Sequence, residues 1–447
     1  MSDPRVRFGT DGVRGLANDT LTPEVALAVG RAAVTLSGGR PVLIGRDTRR
    51  SGTMLEAAVA AGVCAAGADA VLLGVVPTPA VAVASAAEDT VGVVISASHN
   101  PYGDNGLKLF APGGRKLTDD EQSGVETVIA EALVPGGSPG PTGAAVGVVR
   151  HDDAALDRYA TAVEAALEGR RLDGLRVVVD CAHGADSVVA PRVLTRLGAQ
   201  VEVLADSPDG TNINDGVGST HPESLQAAVT ASGADLGVAF DGDADRVLAV
   251  DERGRLVDGD QIMAMCAVDL HARNRLAGDT LVVTVMSNLG LHHAMRTAGI
   301  RVLTTSVGDR YVLEAMAAGG FSLGGEQSGH LVFADHATTG DGLLSAVVLC
   351  DLVRRSGRGL ADLADASMVR LPQVLRNVRV ERPLPDVAEQ LAGPVDEANE
   401  RLGDSGRVLL RPSGTEPVVR VMVEAPTVEE ADEVAAALVA AVEALAG

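Results

Sequence analysis

The sequence predicts an α/β protein of three similar α/β domains with mixed sheets, plus a smaller C-terminal α+β domain. Two observations predict it. A strand–helix–strand pattern recurs three times in a chain of 447 residues, and the pattern changes after about Met368. At this length about three domains are expected, and the recurrence makes repeated α/β units the economical choice. Boundaries are expected at 1–150, 151–252, 253–368 and 369–447.

In chain order, PVLIGRDTR (41–49) is a strand ending in a polar loop. A helix then runs to Ala66 and a second strand covers 70–76. LRVVVDCAHGA (175–185), a helix to Leu197 and a strand over 200–204 repeat the pattern. TLVVTVMSNLG (280–290), a helix to Ala298 and a strand over 300–304 repeat it again. Gly67, Gly198 and Gly299 follow the three helices, as a left-handed C-terminal cap favours. Such β-α-β units imply parallel strands and right-handed crossovers. Each unit then delivers a polar loop between short strands: SASHNPYGDNGLKLF (96–110), FDGDADRVLAV (240–250) and GGEQSGHLVF (324–333). The Gly/Pro-rich stretch 135–147 predicts a surface loop or linker. Near the end, LPQVLRNVRV (371–380) predicts a strand and 428–445 an amphipathic helix.

Composition narrows the function. The net charge is −23, and the aromatics are five Phe and three Tyr with no Trp. Both argue against nucleic acid as a partner, which needs positive charge and stacking surfaces. The most apolar uncharged stretch, 70–87, carries Pro77 and Pro79. It predicts a strand and loop rather than a membrane span. MSDPRVRF at the start lacks a signal pattern, so no membrane partner is expected. Cys64, Cys181, Cys266 and Cys350 are far apart with no CxxC spacing, which fits a reduced, cytoplasmic setting. Of 37 basic residues only Lys108 and Lys116 are lysine. A lysine kept against such a bias suggests a task that needs a proton to come and go, which arginine cannot do.

Four loops suggest chemistry. Ser98 in SASHNP follows an apolar strand over 91–95. That geometry presents a side chain at the mouth of an α/β sheet, where ligands bind. In DGDADR, Asp241, Asp243 and Asp245 alternate. An extended loop would turn all three to one side, and such a cluster calls for a hard cation, Mg²⁺ first among them. An EF-hand fails, because Arg246 stands where glycine is required and VLAV continues as a strand. A haloacid-dehalogenase phosphatase would make Asp241 the nucleophile and leave Ser98 idle. GEQSGH offers Glu326 and Ser328 for sugar hydroxyls, with His330 beside them. RPSGTEP combines Arg411, Ser413, Gly414 and Thr415, with Arg420 nearby, and reads as a phosphate clamp. Arg14, in TDGVRG, lies on a loop whose glycines suggest close approach to a ligand; Arg46 and Arg49 in GRDTR fit structural ion pairs equally well.

SASHNP, DGDADR, GEQSGH and RPSGTEP, in this order and at these intervals, resemble the α-D-phosphohexomutase family over essentially the whole chain. The resemblance implies four domains around a central cleft, the first three sharing a topology. It implies interconversion of hexose 1- and 6-phosphates through a bound 1,6-bisphosphate. SASHNP rather than TASHNP, GEQSGH rather than GEMSGH, GSTHPE (218–223) and VGDRYV (307–312) point to the bacterial branch that acts on glucosamine phosphates. Glucose and mannose phosphates are the alternative substrates; a sugar-phosphate hydrolase and a non-catalytic sensor are remoter ones. The chain departs from the pattern at Val217, where many relatives carry cysteine, and at Ser306, where some carry a basic residue.

By the same resemblance Ser98 becomes a phosphoserine. One Mg²⁺ would be held by Asp241, Asp243, Asp245 and the Ser98 phosphoryl group, since three carboxylates alone supply too few ligands. Arg14 and Arg246 would steady the transferring group. Lys108 is the candidate base, with nearby arginines lowering its proton affinity, and His330 and His99 stand in reserve. Glu326, Gln327 and Ser328 would meet the sugar. Arg411, Ser413, Gly414, Thr415 and Arg420 would hold the other phosphate. Glucosamine 1,6-bisphosphate would be primer and intermediate. A homodimer, and a kinase or autophosphorylation that primes Ser98, are the partner expectations, and the product would feed amino-sugar synthesis for the cell wall.

Overall fold

The computed structural model describes residues 12–134, 140–382, 384–412 and 417–446. Three of its sheets share one strand order. In the first, Val42–Arg46 lies between Ala70–Val75 and Gly92–Ile95, both parallel to it, and Asp104–Ala111 runs antiparallel beyond. In the second, Arg176–Asp180 lies between Gln200–Leu204 and Leu236–Phe240, with Val247–Asp251 antiparallel beyond. In the third, Thr280–Thr284 lies between Arg301–Thr305 and Leu323–Gly325, with Leu331–Phe333 antiparallel beyond. The three polar loops are therefore equivalent. Each joins the third strand of its unit to the antiparallel fourth.

Continuous apolar runs make the parallel strands, because helices cover both faces of such sheets. Leu43, Ile44, Val93 and Ile95 are fully buried, as are Val178, Val179, Val282 and Val283. The helices Gly52–Ala65, Val189–Arg196 and Leu289–Thr297 fill the crossovers. Gly67, Gly198 and Gly299 follow them with φ of 94°, 105° and 74°, the conformation expected after a helix. The segment expected as strand and loop over 70–87 is instead the strand Ala70–Val75 and the helix Thr78–Glu88. Pro77 precedes that helix and Pro79 sits in its first turn, where a missing N–H breaks no helical bond.

The first sheet gains Val13–Leu16 beside Asp104–Ala111 and Val149–His151 beside Ala70–Val75. Within the predicted loop 135–147, residues 140–147 are mostly exposed and lead into that last strand, while 135–139 lie outside the described residues.

The chain divides into two compact units, Met1–Met286 with Ile300–Ala364, and Ser287–Gly299 with Asp365–Gly447. In the second, Val418–Glu424 is the central strand of an antiparallel sheet, flanked by Gln373–Arg379 and Arg407–Pro412. The helix Val428–Ala446 buries Val434, Leu438 and Val442 against it. The helix Leu289–Thr297 belongs to this unit through Glu424, which is fully buried. Its carboxylate accepts the Leu289 N–H at 2.9 Å, capping the helix, and pairs with Arg407 at 2.7 Å.

Candidate active site

The first two equivalent loops meet. Ser98 Oγ donates to Asp241 Oδ2 at 2.5 Å, and both side chains are buried. Oxygens of Asp241, Asp243 and Asp245 lie within 4.8 Å of one another. The convergence arises differently from the expected extended loop. Residues 242–245 form a turn, and Ala244 has a φ of 55°. The strand starts only at Val247, which bears out the rejection of an EF-hand. Gly242 lets the two loops close: a Cβ there would lie 2.7 Å from the Ser98 carbonyl.

The carboxylates are poised unevenly. Burial, with repulsion from Asp245 and Asp243, raises the Asp241 carboxyl far above the ordinary range. Burial would do the same to Asp245, but Lys108, His330 and Arg246 pull it down. One oxygen of each remaining pair is already engaged. Asp243 Oδ2 accepts from Lys108 Nζ at 2.7 Å and from Thr78 Oγ1 at 2.6 Å, and Asp245 Oδ2 accepts from Lys108 at 3.1 Å. Asp243 Oδ1 and Asp245 Oδ1 are buried without a hydrogen-bond partner among the described residues. Two orphaned oxygens beside a third carboxylate are what a cation would satisfy. The donor set fits a hard divalent metal, with Asp241, Asp243 and Asp245 as its protein ligands.

Lys108, on the strand Asp104–Ala111, is faced by the carboxylates of Asp243 and Asp245. His99, the other reserve base, lies against Arg246. Its Nδ1 accepts from Arg246 Nη1 at 2.8 Å. Burial and the charges of Arg246 and Arg14 lower its pKa to about 4. Arg246 is itself held charged, since Asp241, Asp245 and Asp243 outweigh its burial. Its backbone N–H donates to Asp241 Oδ1 at 3.2 Å.

Arg14 is not on a loop. It lies in the strand Val13–Leu16, opposite Gly106. The glycines around it serve the fold. A Cβ on Gly12, which has φ +82°, would meet the Leu107 carbonyl oxygen at 2.0 Å, and one on Gly15 would meet Thr20 at 2.2 Å. Arg14 nonetheless lies close enough to His99 to shift its pKa.

The third loop turns between Leu323–Gly325 and Leu331–Phe333. Glu326 and Gln327 are half-buried and Ser328 is exposed. Glu326 Oε1 accepts the Gly308 N–H at 3.1 Å, while Ser328 Oγ lies 3.5 Å from its other oxygen. Gln327 Nε2 lies 3.5 Å from Asp258 Oδ2. His330 is buried, with Nε2 at 3.5 Å from Asp309 Oδ2. Lys116, the other lysine, pairs with that same Asp309 oxygen at 2.8 Å. Val247 N–H donates to the Gly329 carbonyl at 3.0 Å, joining this loop to the strand that follows the aspartates. Ser306 is exposed and Val217 half-buried.

In the second unit, Arg411 and Arg420 stand directly opposite on paired strands. Burial and the charge of Arg420 lower the pKa of Arg411. Among the described residues neither has an acidic partner, so the pair offers two uncompensated charges to an anion. Ser413, Gly414 and Thr415 lie outside the described residues.

Sequence reasoning missed Thr78 and Asn214. Thr78 grips Asp243 twice, through its hydroxyl and through its N–H to the Asp243 carbonyl at 2.9 Å. The Asn214 amide donates to the carbonyls of Ser98 and Asn100 at 2.9 and 3.1 Å. Thr78 follows a strand end, where sites gather, and that signal was available. Asn214, in an irregular loop, gave none.

Comparison with known proteins agrees with this arrangement. Models of phosphoglucomutase/phosphomannomutase match at 5–133 and 157–254 (alpha/beta/alpha domains I and II), 258–371 (domain III) and 375–441 (the C-terminal domain). A phosphoglucosamine mutase of Frankia alni is 59% identical, covering 98% of both chains. One of Saccharopolyspora erythraea is 57% identical, covering 98% of this chain and 99% of its own. Among solved structures, a phosphoglucomutase/phosphomannomutase family protein of Burkholderia thailandensis is 26% identical with a TM-score of 0.82, covering 99% of this chain and 98% of its own. The N-acetylphosphoglucosamine mutase of Aspergillus fumigatus, solved with GlcNAc-6P and magnesium, is 20% identical and shares the fold at a TM-score of 0.70, covering 99% and 96%. With matches of this extent and a serine facing three aspartates across equivalent loops, the chain belongs to the phosphoglucomutase/phosphomannomutase family, the α-D-phosphohexomutases.

Proposed function

We propose that this chain is a phosphoglucosamine mutase, an isomerase that interconverts glucosamine 6-phosphate and glucosamine 1-phosphate through a phosphoserine at Ser98. The observation that carries the chemistry is the 2.5 Å contact between Ser98 Oγ and Asp241 beside the two orphaned aspartate oxygens. The amino sugar rests on the near full-length relatives of that name.

The free hydroxyl of the sugar phosphate attacks the phosphorus on Ser98. The new sugar O–P bond forms, the Ser98 Oγ–P bond breaks, and Oγ keeps the electron pair. The hydroxyl proton passes to Lys108 in its uncharged form, or to His330, the buried histidine whose ring nitrogens lack a hydrogen-bond partner among the described residues. Mg²⁺ held by Asp241, Asp243 and Asp245 would neutralise charge on the transferring group. Arg246 and Arg14 add fixed positive charge beside it, as phosphoryl transfer depends on positioning and electrostatics. The resulting 1,6-bisphosphate reverses its ends and returns its other phosphoryl group to Ser98. Glu326, Gln327 and Ser328 offer hydroxyl contacts in both orientations, and the Arg411–Arg420 pair offers charge to a second phosphate. The first phosphoryl group comes from a sugar bisphosphate, a kinase or autophosphorylation. Four unpaired cysteines fit a reducing compartment such as the cytoplasm.

The test is kcat/KM for glucosamine 6-phosphate against glucose and mannose phosphates, with Mg²⁺ and a bisphosphate primer. A clear preference for the amino sugar is expected, by at least roughly tenfold. Preference for glucose or mannose would keep the mechanism and remove the substrate. In Ser98→Ala turnover should fall by at least about a thousandfold with the fold intact. Free phosphate release by that variant would instead favour a hydrolase acting through Asp241.

A further inference from the structure

The Arg49 guanidinium is wholly buried, yet it lies on the polar loop that follows the first central strand. All five of its N–H donors are used. Nε donates to Asp47 Oδ2 at 2.8 Å. Nη2 donates to the carbonyls of Ser98 at 2.9 Å and Asn100 at 2.8 Å. Nη1 donates to the carbonyl of Asp104 at 3.1 Å and to that of Pro101. Four of the five acceptors are therefore backbone oxygens of the loop that carries the nucleophile and of Asp104, where the next strand begins. Asp47 closes the circuit. The same Oδ2 accepts from Ser96 Oγ at 2.6 Å, and Ser96 Oγ accepts the Ser98 N–H at 2.9 Å. Ser98 is held on both sides, at its N–H and at its carbonyl.

This hold coincides with strain. Ser98 has a φ of 55°, a left-handed conformation that residues other than glycine seldom adopt. It persists only where surroundings over-determine it. The conformation aims Oγ at Asp241.

We propose that Arg49 is a positioning residue for the nucleophile. Its five-donor fork, with Asp47 and Ser96, fixes Ser98 in the left-handed conformation that directs Oγ to the aspartates. The proposal rests on the reading of Ser98 as the phosphoryl carrier. A charge partner for Asp47 alone would require only one cation, which lysine supplies. Lysine has three donors from a single point and cannot span four carbonyls.

Arg49→Lys separates the two roles. The rate of Ser98 phosphorylation after mixing with glucose 1,6-bisphosphate is followed by intact-protein mass spectrometry, beside kcat, KM and thermal melting. The expected variant melts cooperatively and keeps KM within about twofold, while kcat and Ser98 phosphorylation both fall by roughly a hundredfold. Phosphorylation within about threefold of the unaltered chain would overturn the proposal and leave Arg49 as an ion-pair partner. Should Arg49→Lys not fold, Ser96→Ala removes the acceptor of the Ser98 N–H and keeps the Arg49–Asp47 pair. Its phosphorylation should slow by about tenfold with KM unchanged, and an unchanged rate would overturn the proposal. Absence of Ser98 phosphorylation in the unaltered chain would overturn the reading of Ser98 itself, and the proposal with it.

Discussion

The first two loops of the repeated units and the third loop occupy equivalent places in their sheets but are built to opposite standards. Loops 96–103 and 241–246 meet through the buried contact of Ser98 with Asp241, and Lys108 from the strand Asp104–Ala111 and Thr78 from the helix Thr78–Glu88 hold Asp243 and Asp245 by short contacts. In the third, Glu326 and Gln327 are half-buried, Ser328 is exposed, and two of their side-chain contacts stretch to 3.5 Å. Phosphoryl transfer tolerates little displacement of the reacting atoms. A sugar that must present either end needs contacts that several poses can use. Under the proposed function, the difference puts rigidity at the phosphorus and tolerance at the sugar.

That contrast can be broken by substitution. In the rigid pair, Asp243→Asn should weaken Mg²⁺ binding by more than about a hundredfold, read by calorimetric titration, with kcat falling as far. Unaltered Mg²⁺ affinity would mean that Asp243 serves Lys108 and Thr78 alone. In the second unit, Arg420→Ala removes one charged donor from an anion pair, a loss of about 1.5–3 kcal/mol. Steady-state kinetics should show it chiefly as a raised KM; a pure kcat effect would contradict a binding role. In the tolerant loop, Glu326→Ala should cost about 1–3 kcal/mol in kcat/KM and compress the ratio between glucosamine and glucose phosphates. An equal loss for both sugars would show that Glu326 is no discriminator.

The smallest effect is on stability against pH. Burial and the charges of Arg407, His293 and Arg296 lower the His292 pKa from 6.5 to about 4. Between those values the unfolded chain binds more protons than the folded one, so stability falls as pH drops from 6.5 to 4. His292→Asn should flatten the melting-temperature profile in that window, and an unchanged slope would assign it to other groups.

Much of the fold was legible because its signals are local. Apolar runs such as 42–44 and 177–179 mark buried parallel strands, and a glycine after each helix marks its end. The repeated order then implied equivalent loops. Thr78–Glu88 was misread because two prolines look like a break, although the first turn of a helix tolerates them. The aspartates were found by spacing, yet the geometry given for them was wrong, since a turn with a left-handed Ala244 does what an extended loop was expected to do. Arg14 was singled out by glycines that in fact accommodate the Leu107 carbonyl and the Thr20 side chain.

By itself the sequence determined the architecture, the family, Ser98 and the three aspartates, because residue type and short-range order carry that information. Only the tertiary structure decided what surrounds each of them. Lys108 meets carboxylates contributed from 135 and 137 positions away, His99 accepts a hydrogen bond from Arg246, and Arg49 reaches three carbonyls of the Ser98 loop and that of Asp104. Charge, proton affinity and backbone strain depend on groups brought together across the fold, and distance along the chain says nothing of distance in space.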